Sequence, residues 1–352
     1  MNNLTYKKNN ILFSIVLCTY NREKQIEKCL TSLLNQDFPK DRYEIILVDD
    51  GSKDATVKLA SQYPIRIIEN HVNKGLSVGR NKGLRTARGK VYVSFDDDCL
   101  ATENWLSNLA KVYEKYDLKE ISGIGGFIKL NESQNGILEK YLDESGYGNP
   151  SPVEYGKSKN IFYRFYAYLK NMYSPKIQTN KNVQEVNEIW GANSSFPIAV
   201  LKAVKGWDTK LSGVEDTDLC SRIREKFPAK KFFFTKNAII YHDHKLSLNN
   251  FLKKPYSRGE VIYKFYRQNS KIPPIFPFPI LTILILLFGI LAIFPHGILS
   301  LILIPPLLYS WWLIKAISKK KLYFLLFPYI QGGYELFSIL GIAKAILSYK
   351  KL

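Results

Sequence analysis

The chain has 352 residues and a formal net charge of +19, with 50 Lys and Arg residues against 31 Asp and Glu residues. This length exceeds one ordinary core, so we expect two regions, and the basic excess indicates a polyanionic neighbour: nucleic acid, an anionic membrane or a phosphorylated substrate. The four cysteines lack Cys-x-x-Cys spacing, which indicates reduced cytosolic thiols rather than a disulfide framework or zinc site. The polar N-terminus has no signal-peptide core, so we expect the first region on the cytosolic side.

The first hundred residues alternate between apolar runs and helical periodicity. This alternation predicts a doubly wound α/β sheet, in which ligands bind beyond the carboxyl ends of the strands. Three polar clusters would meet at that edge: Thr19 to Arg22, Asp49 to Asp54, and Asp96 to Asp98. The predicted strands are 11–17, 43–48, 65–69 and 91–95, and the predicted helices are 23–35, 55–62 and 75–87.

Three adjacent carboxylates, Asp96 to Asp98, end the strand that begins at Val91. Such like charges repel one another, and a fold tolerates them when a cation lies between them. Asp96 and Asp98 project to the same side of an extended chain and could share a divalent ion. The alternative is a solvated acidic turn or a helix N-cap, where Asp is common.

Later segments continue this organisation. We predict a helix at 101–116 and strands at 121–130 and 232–240. Between them, 146–187 is rich in Tyr, Lys and Pro, contains a helix candidate at Phe162 to Met172, and is expected to read an acceptor or to form a mobile lid.

The motifs together resemble the family-2 glycosyltransferases of the GT-A fold, of the membrane-anchored type found in bacteria and archaea. The resemblance runs from about Phe13 to His244, with Cys18 where the family usually has proline. It implies sugar transfer from a nucleotide-sugar donor with Mn²⁺ or Mg²⁺. The matching stretches are Ser14 to Arg22, Val48 to Ser52, Asn73 to Gly75, Arg80 to Gly83, Phe95 to Asp98, Gly191 to Phe196, Gly206 to Asp208 and Gly213 to Arg222.

The resemblance also implies roles for single residues. Tyr20 would stack on the nucleobase, and Asp98 would hold the metal that bridges the diphosphate. Family members differ over which carboxylate contacts the ion, so Asp97 remains an alternative to Asp98. Each residue also has an ordinary structural explanation, such as an Asx turn at Asp50 or a solvated helix position at Arg80. The donor-binding set is Thr19, Tyr20, Arg22, Asp50 (to a base N–H), Arg80 (to the nucleotide or its phosphates), Asp96 (to the ribose) and Asp97.

Glu215 and Asp216 resemble the family's acidic motif ahead of a helix. Direct displacement at an anomeric carbon needs a carboxylate that takes the acceptor proton, and we assign this catalytic role to Asp216 with Glu215 in reserve. Both could instead be first-turn acids favoured by the helix dipole. The resemblance makes His242 a metal or diphosphate contact, with His244 weaker. The two histidines could form a zinc pair, but no neighbouring cysteine in the sequence supports it.

The C-terminal third is the predicted membrane part. Two apolar runs, Phe278 to Phe294 and Ile298 to Ile314, flanked by lysines and with Trp311 and Trp312 near one end, predict a transmembrane hairpin with both ends cytosolic. We therefore expect a GT-A domain (1–245), a basic juxtamembrane helix or linker (246–274), a hairpin (275–317) and an interfacial or re-entrant helical tail (318–352).

These observations predict an integral membrane enzyme with a cytoplasmic catalytic domain. It would be inverting and metal-dependent, would transfer a sugar to a lipid-linked acceptor or glycolipid, and would serve glycan or cell-surface polysaccharide biosynthesis. One alternative is a non-catalytic membrane scaffold that retains nucleotide-sugar binding, which the intact acidic motifs oppose. A nucleic-acid-binding protein is suggested by charge alone, and the sequence has no recognition motif for it.

Overall fold

The structure is a computed structural model. It describes residues 11–130, 135–146, 182–211, 213–242, 246–268 and 297–349, and single positions 158, 160, 162, 163, 166, 167, 169 and 170. Part of the helix candidate Phe162 to Met172 lies outside these residues, as do His244 and the first predicted hairpin run, Phe278 to Phe294.

Four parallel strands form one half of a mixed nine-stranded sheet. They are β1 (Phe13–Thr19), β2 (Tyr43–Asp49), β3 (Arg66–Glu69) and β4 (Val91–Asp96). β1, β2 and β4 are buried along nearly their whole length because both faces of the sheet are covered. Their spatial order, β3-β2-β1-β4, brings the polar ends of β1, β2 and β4 to one edge. This half confirms the predicted alternation.

The other half of the sheet is partly antiparallel, which the prediction of a doubly wound sheet did not include. It consists of β5 (Cys99–Ala101), β6 (Ile121–Leu130), β7 (Val183–Val186), β8 (Asn193–Pro197) and β9 (Lys231–His242). Strand β8 pairs antiparallel with β4, and β5 pairs antiparallel with β9. The short return strand β5 directly follows the acid cluster, so the chain turns back at the site.

Helices cover the sheet, and their apolar sides complete the core. They are α1 (Ile26–Leu34), α2 (Thr56–Ala60), α3 (Leu76–Thr86), α4 (Trp105–Lys115), α6 (Ile198–Ala203) and α7 (Glu215–Lys226). In chain order, α5 (Ile137–Ser145) lies between β6 and β7 and does not belong to this set. Trp105 is fully buried against Phe95, with ring centroids 5.1 Å apart, and its indole N–H donates to Asn193 at 2.9 Å. This packing holds β4, α4 and β8 together directly beneath the acid cluster.

The chain divides into two compact units. The first comprises Met1–Asn131, Gly148–Val153 and Thr179–Asp243 and contains the sheet. The second contains α5 together with four later helices: α8 (Leu248–Gln268), α9 (Gly297–Leu308), α10 (Ser310–Lys319) and α11 (Phe327–Tyr349). The domain limits drawn from the sequence remain a prediction.

A transmembrane hairpin is not shown by the structure. The expected second span, Ile298 to Ile314, is divided between α9 and α10 at Tyr309, after two prolines, Pro305 and Pro306, that lack the N–H of a continuing helix. Trp311 and Trp312, expected as interface anchors, are 2% and 1% exposed. Trp312 packs on Tyr141, Phe324 and Phe327.

Leu322–Ser348 is the candidate membrane span within the described part of the chain. Its mean hydropathy of 1.2 and length of 27 residues suffice for crossing, and 17% of its most apolar window is buried inside the protein. Its polar residues have partners: Gln331 accepts from the Trp312 indole at 2.7 Å, and Glu335 accepts from the Tyr309 hydroxyl at 2.9 Å. The interfacial or re-entrant tail therefore stays a prediction, and a membrane-spanning helix is the alternative to it.

Candidate functional site

The loops after β1 and β2 hold each other through backbone and side-chain hydrogen bonds. Asn21 has a φ of 53°, and its side chain accepts from the Lys53 N–H at 2.8 Å while its own N–H donates to the Ser52 hydroxyl at 2.9 Å. Asp49 accepts from the N–H groups of Gly51 and Ser52, both at 3.0 Å. The two strand ends are thereby fixed as one rigid edge.

Asp50 lies beneath this edge with 6% exposure. Its carboxylate accepts from the Asn70 amide at 2.9 Å and from the backbone N–H groups of Lys74 and Gly75 at 2.8–3.0 Å. It thus anchors the turn that opens α3. Its predicted contact with a base remains a prediction. Tyr20, the predicted stacking residue, is 44% exposed at the same edge and is accessible to a planar ligand.

The three carboxylates after β4 point to different partners. Asp97 is 6% exposed and accepts from Arg22 Nε at 3.0 Å, whereas Asp98 lies 3.8 Å from Arg22 Nη2 and 3.4 Å from His242 Nε2. Asp96 lies 3.6 Å from Arg80 Nη2. Asp98 is therefore the carboxylate that lies beside His242, the other predicted metal ligand, whereas Asp97 mainly contacts Arg22.

Arg80 is the buried cation of the site, with a side chain only 3% exposed. Besides Asp96, its guanidinium contacts Asp216 Oδ1 at 3.0 Å and Glu215 Oε1 at 3.5 Å. It also lies 5.8 Å from the Trp207 ring centroid. These partners are acidic side chains rather than open space, so Arg80 joins the strand-end acids to the acids of α7. Its predicted donor contact remains a prediction.

The first turn of α7 presents Glu215 and Asp216 towards this cation. Asp216 Oδ2 accepts from the Gly191 N–H at 2.9 Å, and its side chain is 22% exposed. Glu215 accepts from the Gly213 N–H at 2.5 Å and is 11% exposed. A Cβ at Gly191 would lie 2.6 Å from Asp216 Oδ2 and still closer to the Arg80 guanidinium, so a larger residue here would displace these side chains. Sequence reasoning missed the role of Gly191, although it lies in a stretch that matched the family.

The site carries more negative charge than its arginines balance. Burial raises the pKa of Asp96 to about 7, and Asp98 and Asp97 add to this rise while Arg80 opposes it. Burial likewise raises the pKa of Asp97 to about 6 against the effect of Arg22. Burial and the Asp216 charge raise the pKa of Glu215, again opposed by Arg80. A bound cation would relieve this repulsion.

The residues present fit a divalent cation. Ligand atoms of Asp98, Cys99 and His242 lie within 4.8 Å of one another. Carboxylate oxygen and imidazole nitrogen suit Mn²⁺, and carboxylate oxygen suits Mg²⁺. The structure thus brings together Asp98 and His242 as the sequence predicted, and it adds Cys99, which the sequence analysis overlooked.

The sequence of this chain is similar to those of known glycosyltransferases. Residues 14–174 match the family model for glycosyl transferase family 2. A dolichyl N-acetyl-alpha-D-glucosaminyl phosphate 3-beta-D-2,3-diacetamido-2,3-dideoxy-beta-D-glucuronosyltransferase of Methanococcus voltae is 28% identical over 200 residues, 54% of this chain and 61% of its own length. Glycosyltransferase AglE of Haloferax volcanii is 32% identical over 140 residues, 37% of this chain and 43% of its own. The chain therefore matches less than two thirds of either relative.

Solved structures share the fold. Mannosyltransferase PcManGT from Pyrobaculum calidifontis, in complex with GDP-Man and Mn²⁺, has a TM-score of 0.57 at 16% identity and covers 97% of this chain and 88% of its own. TarS of S. aureus in complex with UDP-GlcNAc has a TM-score of 0.52 at 17% identity, with coverages of 97% and 92%. The chain thus has a GT-A fold, and over residues 14–174 it is similar to the family-2 glycosyltransferases.

Proposed function

We propose that this enzyme transfers a sugar from a nucleotide-sugar to a lipid-linked acceptor or glycolipid, with inversion and with a divalent cation. One observation carries the proposal: the buried Arg80 guanidinium contacts both Asp96 at the strand edge and Asp216 on α7. A donor held at the strand edge would therefore lie beside the acid that activates the acceptor. Neighbours solved with GDP-Man and with UDP-GlcNAc support a nucleotide-sugar donor.

In this proposal the donor lies along the carboxyl ends of β1, β2 and β4. Tyr20 stacks on the base, and Thr19, Arg22 and Asp50 lie at the same edge as the nucleotide. Asp96 binds the ribose, and Asp97 orients Arg22 through the 3.0 Å ion pair. Because Arg22 is 39% exposed, its remaining N–H groups can reach a phosphate.

Asp216 takes the acceptor proton while the acceptor oxygen attacks the anomeric carbon opposite the leaving diphosphate, which inverts that centre. Arg80 and the Gly191 N–H orient its carboxylate. Glu215 is the reserve base, because it contacts the same arginine and is less exposed. Asp98 and His242 would hold Mn²⁺ or Mg²⁺, which when bound neutralises the charge that develops on the leaving diphosphate.

Features of the second unit support the proposed lipid-linked acceptor. Its candidate span and the lysines Lys319, Lys320 and Lys321 before it suit an anionic membrane surface, and such cations contribute about 1 kcal/mol each near anionic lipids. The Methanococcus voltae relative is named as a transferase that acts on dolichyl N-acetyl-alpha-D-glucosaminyl phosphate, a lipid-linked sugar. We therefore place the enzyme in the cell membrane, with its catalytic domain cytoplasmic, in glycan or surface-polysaccharide synthesis.

The base assignment is tested by Asp216→Asn in the full chain. Turnover should fall by about 10²–10⁴ while calorimetric donor affinity stays unchanged, because the amide is nearly isosteric but takes no proton. Asp208→Asn is the matched control, since Asp208 is exposed outside the site and should retain full turnover. If Asp216→Asn stays active and Glu215→Gln does not, the two roles are exchanged. If both stay active, the base lies elsewhere.

The acceptor class is tested with the full chain in lipid nanodiscs. Polyprenyl-phosphate-linked sugars and membrane glycolipids should be glycosylated from a panel of nucleotide-sugars, and matched water-soluble sugars should react far more slowly. Equal rates with water-soluble sugars would show that the helices only localise the enzyme.

A further inference from the structure

Cys99 lies directly opposite His242, next to the predicted metal ligand Asp98. Strand β5 begins at Cys99 and pairs antiparallel with β9, with Cys99 and His242 as register partners. Paired residues in an antiparallel ladder place their side chains on the same side of the sheet. Cys99 is fully buried, and His242 is 9% exposed.

The distances from Asp98 to the other two ligand atoms are close to those of tetrahedral coordination, and all three atoms lie within 4.8 Å of one another. Asp98 Oδ1 lies 3.4 Å from His242 Nε2 and 3.8 Å from Cys99 Sγ. A tetrahedral zinc ion with ordinary bond lengths would separate oxygen from nitrogen by about 3.4 Å and oxygen from sulfur by about 3.5 Å. The observed distances are thus close to those of a zinc site before any side chain moves.

The chemistry of the three groups also differs from that of a magnesium site. Mg²⁺ is bound through oxygen, whereas thiolate and imidazole favour zinc and similar ions. We propose that Cys99 is a third protein ligand, with Asp98 and His242, for Zn²⁺ and ions like it. Zinc binding would form the zinc–sulfur bond and release the thiol proton to solvent.

Occupancy by zinc would change what the site offers a diphosphate. Four-coordinate zinc with three protein ligands keeps one open position, whereas a six-coordinate ion on Asp98 and His242 alone keeps four. A chelating diphosphate needs two positions. Zinc should therefore bind tightly yet support nucleotide binding poorly. Coordination by Cys99 would distinguish this zinc-bound state from the state in which a six-coordinate ion is held by Asp98 and His242 alone. This part rests on the proposed metal role of Asp98 and His242.

The first test is the absorption spectrum of the full-length protein loaded with Co²⁺, which replaces zinc and reports a thiolate ligand through a near-ultraviolet charge-transfer band. The band should appear in the wild type and be lost in Cys99→Ser and Cys99→Ala. Cys29→Ser is the matched control, because Cys29 is also buried beside the acid cluster, with its Sγ 3.9 Å from the Asp96 carbonyl oxygen, and should keep the band.

The second measurement is metal affinity by chelator competition. Loss of the ligand should weaken Zn²⁺ binding at least as much as loss of an outer-shell partner, by about 10–100-fold, and should leave Mn²⁺ affinity within about threefold. In the wild type, UDP and GDP should bind at least about tenfold more weakly with Zn²⁺ than with Mn²⁺.

A wild-type protein without the cobalt band would overturn the proposal, whether or not the variants fold. So would a band that persists in both Cys99 variants, or unchanged Zn²⁺ affinity in them. These measurements do not depend on turnover, so they test the metal site separately from the proposed reaction. A cobalt band in a protein that transfers no sugar would contradict only the proposed function.

Discussion

The two units use buried polar groups in opposite ways. In the sheet unit, Arg80 contacts three carboxylates, and the pKa of Asp96 is raised because burial and neighbouring charges disfavour its ionised form. In the helical unit, Gln331 and Glu335 are polar residues of an apolar helix, and each has a hydrogen-bond partner on the segment from Tyr309 to Trp312. Unbalanced charge is therefore found at the proposed ligand site, whereas paired polar groups are found where helices pack.

Among the substitutions that test this difference between the units, one at Arg80 should have the largest effect on stability. Arg80→Met should lower the free energy of unfolding by about 3–5 kcal/mol, because it leaves three partly buried carboxylates without their cation. Arg66→Met is the control: Arg66 pairs with Glu44 at 2.8 Å but is 29% exposed, and its loss should cost about 1 kcal/mol or less. Chemical denaturation of the full chain in detergent measures both. Equal losses would show that Arg80 is not the centre of the charge cluster.

A second prediction concerns the contact between α8 and α11, where Gly259 and Gly341 face each other's helix. A Cβ at Gly341 would overlap the Tyr256 carbonyl oxygen, and one at Gly259 would overlap that of Ser338. Gly341→Ala should therefore destabilise the protein by about 1–3 kcal/mol.

Gly332→Ala on the same helix is its control, measured by thermal unfolding. Its Cβ would meet Tyr309 only at 3.9 Å, so the better helix propensity of alanine should leave stability equal or raised by up to about 1 kcal/mol. A Gly341→Ala variant as stable as Gly332→Ala would contradict the close crossing.

The smallest expected effect is a gain in stability, and it comes from substitution of Asp96. Because the pKa of Asp96 is raised to about 7 in the folded state, its contribution to stability is fully present below the ordinary pKa and is lost as pH rises through about 7. Asp96→Asn should therefore stabilise the metal-free protein at pH 8, by about 1 kcal/mol or less since the side chain is 32% exposed, and have little effect at pH 5.

Chelator-treated protein melted at both pH values tests the sign. Destabilisation by Asp96→Asn at pH 8 would mean that its contact with Arg80 outweighs the burial of its charge. In that case the buried charge of Asp96 in the sheet unit would be compensated by its partner, as the polar groups of the helical unit are.

Local patterns in the sequence were sufficient for the parallel half of the sheet and for its polar edge. Apolar runs such as Ile15 to Leu17 and the clusters after them depend on neighbours within one strand and turn, so periodicity reveals them. The burial of Trp312 was not predictable from the same patterns, because hydropathy measures composition and does not distinguish lipid from a protein interior. The hairpin stays a prediction.

Long-range contacts were decided only by the tertiary structure. Arg80 and Asp216 are 136 positions apart, and no local spacing indicates that one buried guanidinium joins them. The pairing of Cys99 with His242 depends on the antiparallel register of β5 against β9. The sequence by itself determined the family resemblance and the polar strand ends, because both depend on consecutive residues. Which charges meet, and whether a thiol faces the proposed metal ligands, follows from how distant strands pair.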